Sequence, residues 1–200
     1  MNYLGHAYLS FGHTELLVGN MIGDYVKGNE ALHRLPPGIQ KGVILHRNID
    51  SYTDMHPATA KCKTFFREDY RLYAGAFVDS MFDHFIANDP QCFESEQALF
   101  DFTQETYAVI EQHLDLLPEK FRLMFRHMQA ENWLYRYRTL KGMQKSFQGL
   151  VHRAQYLETG AESAYTTLVT NFYTLNQFYY EFIDEVKNYV KESIAKILIQ

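Results

Sequence analysis

Apolar positions recur at helical intervals through most of the chain. After Pro36-Pro37, residues Ile39, Val43, Ile44 and Ile49 form a stripe that predicts a helix opened by proline in its first turn. A shorter helix is predicted over 57–67, starting at Pro57. Another is predicted over 71–87, where Leu72, Phe77, Val78, Met81, Phe82 and Phe85 make a broad apolar face ended by Asn88-Asp89-Pro90. Residues 93–116 repeat the pattern before Pro118, and further helices are predicted over 119–129, 132–152 and 160–198. With no internal repeat, low-complexity tract or Gly/Ser/Pro linker, the prediction is all-α: a single-domain helical bundle over residues 1–200.

Composition supports that reading and removes others. The chain is 46% apolar and 22% charged, a balance that folds rather than stays disordered. Only 5 Pro and 11 Gly are present, little material for the turns of a β-sandwich. No run of 18 apolar residues suggests a membrane span. The opening Met1-Asn2-Tyr3-Leu4-Gly5-His6 lacks the basic start of a signal peptide, and two cysteines, Cys62 and Cys92, suit a reducing compartment. A cytoplasmic location is therefore expected, with no membrane or nucleic-acid partner.

Polar side chains interrupt helices that should be dry. His46 and Asp50, Asp79 and Asp83, and Asn20 and Asp24 each stand four residues apart, which puts both members on one helix face; His84 adjoins Asp83. Any one such pair is commonly a surface ion pair or a cap. Asp24 in particular could end its helix, with Gly28 as the cap. Carboxylates among Phe, Met and Val are nevertheless costly to bury without a compensating cation. If the segments converge, His6, Asp24, His46, Asp50, Asp83 and His84 are candidate metal ligands, with Asp79 a ligand or an orienter of one. A thiolate-free imidazole and carboxylate set suits Mn²⁺, with Mg²⁺ or Fe²⁺ as alternatives, better than a closed structural zinc. Asp50 or Asp79 is the expected general base, and Arg47, next to His46, a candidate for neutralising a phosphoryl group. His13 and His33 read as surface residues and His56 as a turn residue.

Other chemistries lack support. No phosphate-binding glycine loop or dinucleotide fingerprint occurs, nor a Gly-x-Ser-x-Gly elbow. The aromatic run from Asn171 to Tyr180 reads as a packed helix face rather than a base-stacking platform. The net charge is −5, unevenly spread: residues 91–119 carry seven acids and no base, residues 120–153 eight bases and one acid. That basic stretch either neutralises the acidic segment before it or attracts an anionic partner, through Arg122, Arg126, Arg136, Arg138, Lys141, Lys145 and Arg153.

Five blocks of this sequence resemble the acyl carrier protein phosphodiesterase family of bacteria. They are Asn2-Tyr3-Leu4-Gly5-His6, the run Gly19 to Gly28, His46-Arg47-x-Ile49-Asp50-x-x-Thr53-Asp54, Asp79-x-x-x-Asp83-His84-Phe85, and Asn132-Trp133-Leu134-x-Arg136-Tyr137. Together they reach from residue 2 to about 150, with Gly5 standing where the family is expected to favour alanine. The resemblance implies a helical fold distantly related to HD-type metal-dependent phosphohydrolases. It also implies hydrolysis of the phosphodiester between 4′-phosphopantetheine and a serine of holo-acyl carrier protein, favoured by Mn²⁺, with an acidic carrier protein as the partner. A related enzyme acting on a nucleotide or other small phosphoester, and a non-enzymatic helical binding module, are the alternative expectations.

Overall fold

The computed structural model describes residues 1–154 and 156–199, and among them every regular element is helical. In chain order the α-helices are α1 (Tyr3–Tyr8), α2 (Thr14–Ile22), α3 (Gly28–His33), α4 (Pro37–Met55), α5 (Pro57–Tyr70), α6 (Ala74–Asn88), α7 (Glu96–Glu111), α8 (Glu119–Ala130), α9 (Trp133–Arg136), α10 (Leu140–Arg153), α11 (Ala161–Thr170) and α12 (Phe172–Ile199). Short 3₁₀ turns at Gly23–Tyr25, Arg71–Tyr73 and Leu114–Leu116 join some of them. The all-α prediction holds. No helix among the described residues is long and apolar enough to cross a membrane.

Local chemistry explains the boundaries. Pro37 opens α4 and Pro57 opens α5, at positions where a missing N–H costs nothing. His56 caps α5 by accepting from Ala58 N at 3.1 Å, so this turn histidine is also buried and structural. The single helix predicted over 132–152 is two: the chain breaks after Arg136, and Thr139 caps α10 by accepting from Gly142 N at 3.0 Å. The predicted helix over 160–198 is also two, parted at Asn171, whose side chain bonds back to the Thr167 carbonyl. In the predicted 71–87 helix, the first residues are a 3₁₀ turn and α6 starts at Ala74. The aromatic run packs as expected, with Leu175 and Tyr179 fully buried while Tyr173 faces outward.

One crossing positions the site. Gly19 of α2 and Gly42 of α4 meet so closely that a Cβ on Gly19 would come 2.1 Å from the Ile39 carbonyl and 2.7 Å from Gly42 Cα. The two backbones therefore touch, as only glycine allows. Asn20 follows Gly19 directly, and His46 lies one turn after Gly42, so the crossing sets the Asn20 backbone carbonyl against the His46 ring. α6 passes beneath α1, and α5, α10 and α12 close the bundle around Phe66, Phe77, Phe82, Phe147 and Phe182, all fully buried.

Candidate metal centre

His6, His46 and Asp50 come together from α1 and α4. Asp50 Oδ1 is 3.1 Å from His6 Nε2, and Oδ2 is 3.0 Å from His46 Nε2, so one carboxylate straddles two imidazoles. The rings are stacked, with centroids 4.1 Å apart and planes 19° from parallel. Both histidines are buried.

The tautomer that each ring adopts when neutral is fixed from behind by Asn20. Its amide donates to the His6 carbonyl at 2.7 Å and to Ser10 Oγ at 3.0 Å, so its Oδ1 is free only to accept. It accepts from His6 Nδ1–H at 2.7 Å. The Asn20 backbone carbonyl accepts from His46 Nδ1–H, also at 2.7 Å. With both Nδ1 atoms donating, each neutral ring turns a bare Nε2 lone pair toward Asp50. Both Nε2 atoms are buried without a well-directed hydrogen-bond partner. Atoms held at about 2.1 Å around an octahedral ion stand roughly 3 Å apart. The Asp50 oxygens stand at that spacing from each Nε2, one donor atom from each of the three residues lies within 4.8 Å of the others, and the donor set fits a borderline divalent cation. Spacing pairs Asn20 with Asp24, whereas the fold makes it the common orienter of both rings. Asn20→Ala should weaken Mn²⁺ binding about 10–100-fold, measured by calorimetric titration; an unchanged affinity would deny Asn20 that role.

Electrostatics describe a place that wants positive charge. Burial pulls His46 down, but the Asp24 and Asp50 carboxylates beside its Nε2 outweigh it and raise the imidazole to about 9. Burial, with His46 beside it, lowers His6. Asp50 is held low by both imidazoles against the cost of its own burial. The α-amino group of Met1 adds a second cation, 2.9 Å from Asp79 Oδ1 and 3.7 Å from Asp50 Oδ1, and its pKa is raised by those acids against burial. Because His46 binds its proton more tightly folded than unfolded, that stabilisation is complete below about 6.5 and lost as pH rises toward about 9. The amine acts with the same sign above 8.0. Thermal melts in chelator should therefore fall in midpoint between pH 6.5 and 9; a flat or rising midpoint would contradict this account.

The remaining candidates distribute as follows. Asp24 is on the 3₁₀ turn beyond α2, so its predicted helical pairing with Asn20 does not form; it reaches His46 Nε2 at 3.5 Å from a largely exposed position. Asp79 touches the centre through the Met1 amine and keeps Oδ2 without a hydrogen bond among the described residues. Arg47 is exposed and donates to the Val26 carbonyl at 3.1 Å, tying the Asp24 turn to α4.

Two expected ligands are elsewhere. Asp83 is fully buried and accepts from Leu4 N at 2.8 Å, Gly5 N at 3.0 Å and Asn2 N at 3.3 Å, which makes it the cap of α1. Burial pushes its carboxyl up to about 7 against the pull of the Leu4 and Gly5 amides. His84, about 100° further round the helix, donates Nδ1–H to the Tyr137 carbonyl at 2.6 Å and lies against Phe172. Gly5 lies between these parts. A Cβ there would meet the flexible end of Met1 at 2.4 Å, Asp83 Oδ1 at 3.0 Å and Met1 Cβ at 3.3 Å, so the expected alanine asks for a shift of the Met1 side chain.

The basic stretch is partly spent internally. Arg138 pairs with Glu96 at 2.6 Å, and Arg136 and Lys145 share Glu131 at 3.0 and 3.7 Å. Among the described residues Arg122, Arg126, Lys141 and Arg153 have no acidic partner and are exposed.

Comparison with known proteins bears on these residues as a set. Residues 1–186 match the family described as acyl carrier protein phosphodiesterase. A protein of that name from Serratia proteamaculans (strain 568) is 31% identical over 192 residues, 96% of this chain and 98% of its own length. One from Yersinia pestis is 31% identical over 179 residues, 90% of this chain and 88% of the relative. One from Salmonella agona (strain SL483) is 31% identical over 165 residues, covering 82% and 85%. No solved structure matches the chain. A match of this extent, spanning α1, α4 and α6 and so every side chain of the centre, establishes that the chain belongs to the acyl carrier protein phosphodiesterase family.

Proposed function

We propose that the chain is a divalent-metal-dependent phosphodiesterase that removes 4′-phosphopantetheine from holo-acyl carrier protein, leaving the apo-carrier and free 4′-phosphopantetheine. Family membership supports the reaction. The observation that carries the metal dependence is the pair of buried, tautomer-fixed imidazoles whose bare Nε2 atoms face one carboxylate. His6, His46 and Asp50 would hold the cation, with Asp24 at its edge, and Mn²⁺ is the proposed ion. When bound, such an ion supplies Lewis-acid polarisation of a phosphoryl oxygen and acidifies water.

The other residues take roles that their surroundings permit. Asp50 has both oxygens turned to imidazoles, so Asp79, which lines an open recess and keeps Oδ2 without a hydrogen bond among the described residues, is the better general base. Asn20 holds both rings, and Arg47 fixes the turn that carries Asp24. The unpaired cations of the basic stretch attract the acidic carrier.

The test is direct. Holo-carrier incubated with the protein and Mn²⁺ should lose one phosphopantetheinyl group by intact mass, and chelator should block the loss. No mass change on the carrier, with release of phosphate from a nucleotide panel instead, would replace the substrate; no bound or activating metal would remove the mechanism.

A further inference from the structure

A second cationic surface borders the centre, on a part of the chain that sequence shows as nearly charge-neutral. Residues 1–90 carry eight bases and ten acids. After α5, Arg71 turns the chain at φ 45° and ψ −117°, a conformation that L side chains rarely adopt. Leu72, next in sequence, is 99% exposed. Arg67, Arg71 and Leu72 line an open recess of about 680 Å³, and Asp79 is another of its walls. Lys63, also in the recess, is neutralised by Asp54 at 2.7 Å. Among the described residues Arg67 and Arg71 have no acidic partner within 4 Å.

This recess neighbours the basic stretch. Ala76 lines both it and a shallow hollow that ends at Arg153, and Arg153 in turn lines the cavity containing Lys145 and Tyr3. Cations from two distant parts of the sequence thus line hollows along the N-terminal half of α6, whose Asp79 reaches the centre through Met1.

The geometry points to Arg67, Arg71 and Leu72 as a docking element for the acidic protein that presents the phosphodiester. This inference rests on the proposed carrier-protein substrate and adds the surface that receives it. Two unpaired guanidinia beside an apolar side chain complement a protein face with carboxylates around an apolar spot. A free phosphate would make no use of Leu72. Backbone strain kept at a residue with an outward-facing guanidinium is consistent with a function for that side chain rather than for the fold. A protein seated there sits against the Asp79 wall, where a tethered phosphodiester can enter.

Steady-state kinetics on holo-carrier over a salt series test the inference. The Arg67→Glu/Arg71→Glu variant should raise KM about tenfold or more at low ionic strength and flatten its salt dependence. Leu72→Ser should raise KM by a smaller factor. Arg71→Gly is the discriminating variant: it relieves the backbone, so its melting temperature should equal or exceed that of the parent, yet KM should still rise. A stabilised Arg71→Gly with parental KM, or a double-glutamate variant with parental KM and salt slope, would overturn the docking element. If the parent protein itself neither binds nor cleaves holo-carrier, the proposed function falls first and this inference with it.

Discussion

Asp50→Asn is expected to keep the fold, lose Mn²⁺ binding and lower kcat on holo-carrier by about 10²–10⁴-fold, the range associated with removing a group central to proton or metal chemistry. The amide has nearly the shape of the carboxylate it replaces, and its NH₂ can donate to one bare Nε2, so the pocket need not rearrange. What disappears is the negative charge lying 3.0 and 3.1 Å from two imidazoles. His46, held near 9 partly by that charge, should titrate closer to neutral in the variant, readable by NMR. In chelator the variant should therefore melt below the parent near pH 7 and converge with it toward pH 9, while added Mn²⁺ stabilises only the parent. Retained Mn²⁺ stabilisation in the variant would show that the cation sits elsewhere, and the centre described here would have to be abandoned.

The sequence made half of this centre legible. His46 and Asp50 share a face of a helix whose start Pro37 announces, and their spacing alone places them together. His6 could not be placed by spacing, because its approach depends on how α1 and α2 lie across α4. A signal for that crossing was present: Gly19 and Gly42 stand in helix interiors, where glycine is unfavourable unless a second backbone comes close. The same spacing rule misled at α6. Asp79 and Asp83 do lie on one face, but the polar groups opposite Asp83 are backbone amides rather than imidazoles. A periodicity argument sees which residues share a face and not what the face meets. The breaks at Arg136–Leu140 and Asn171 were hidden for a related reason, since neither contains proline or glycine and local caps end those helices instead.

Asp83→Ala should produce the opposite pattern to Asp50→Asn: the largest loss of stability of any single change in this region, about 2–4 kcal/mol, without a specific defect in metal chemistry. Removing the carboxylate leaves the Leu4 and Gly5 amides, and that of Asn2, without their acceptor in an interior where Asp83 is fully buried. Each stranded donor costs on the order of 1–3 kcal/mol, offset in part by water entering the space and by relief from desolvating an acid. The raised carboxyl, near 7, signals that second contribution. Asp83 touches neither imidazole, so activity should decline in step with the folded fraction. Denaturant titration with and without Mn²⁺ separates the cases. The expected result is a midpoint well below the parent's in both conditions, with the Mn²⁺-induced increment preserved in the protein that remains folded. A variant as stable as the parent but unable to gain stability from Mn²⁺ would return Asp83 to the ligand set, and the cap assigned to it would be wrong.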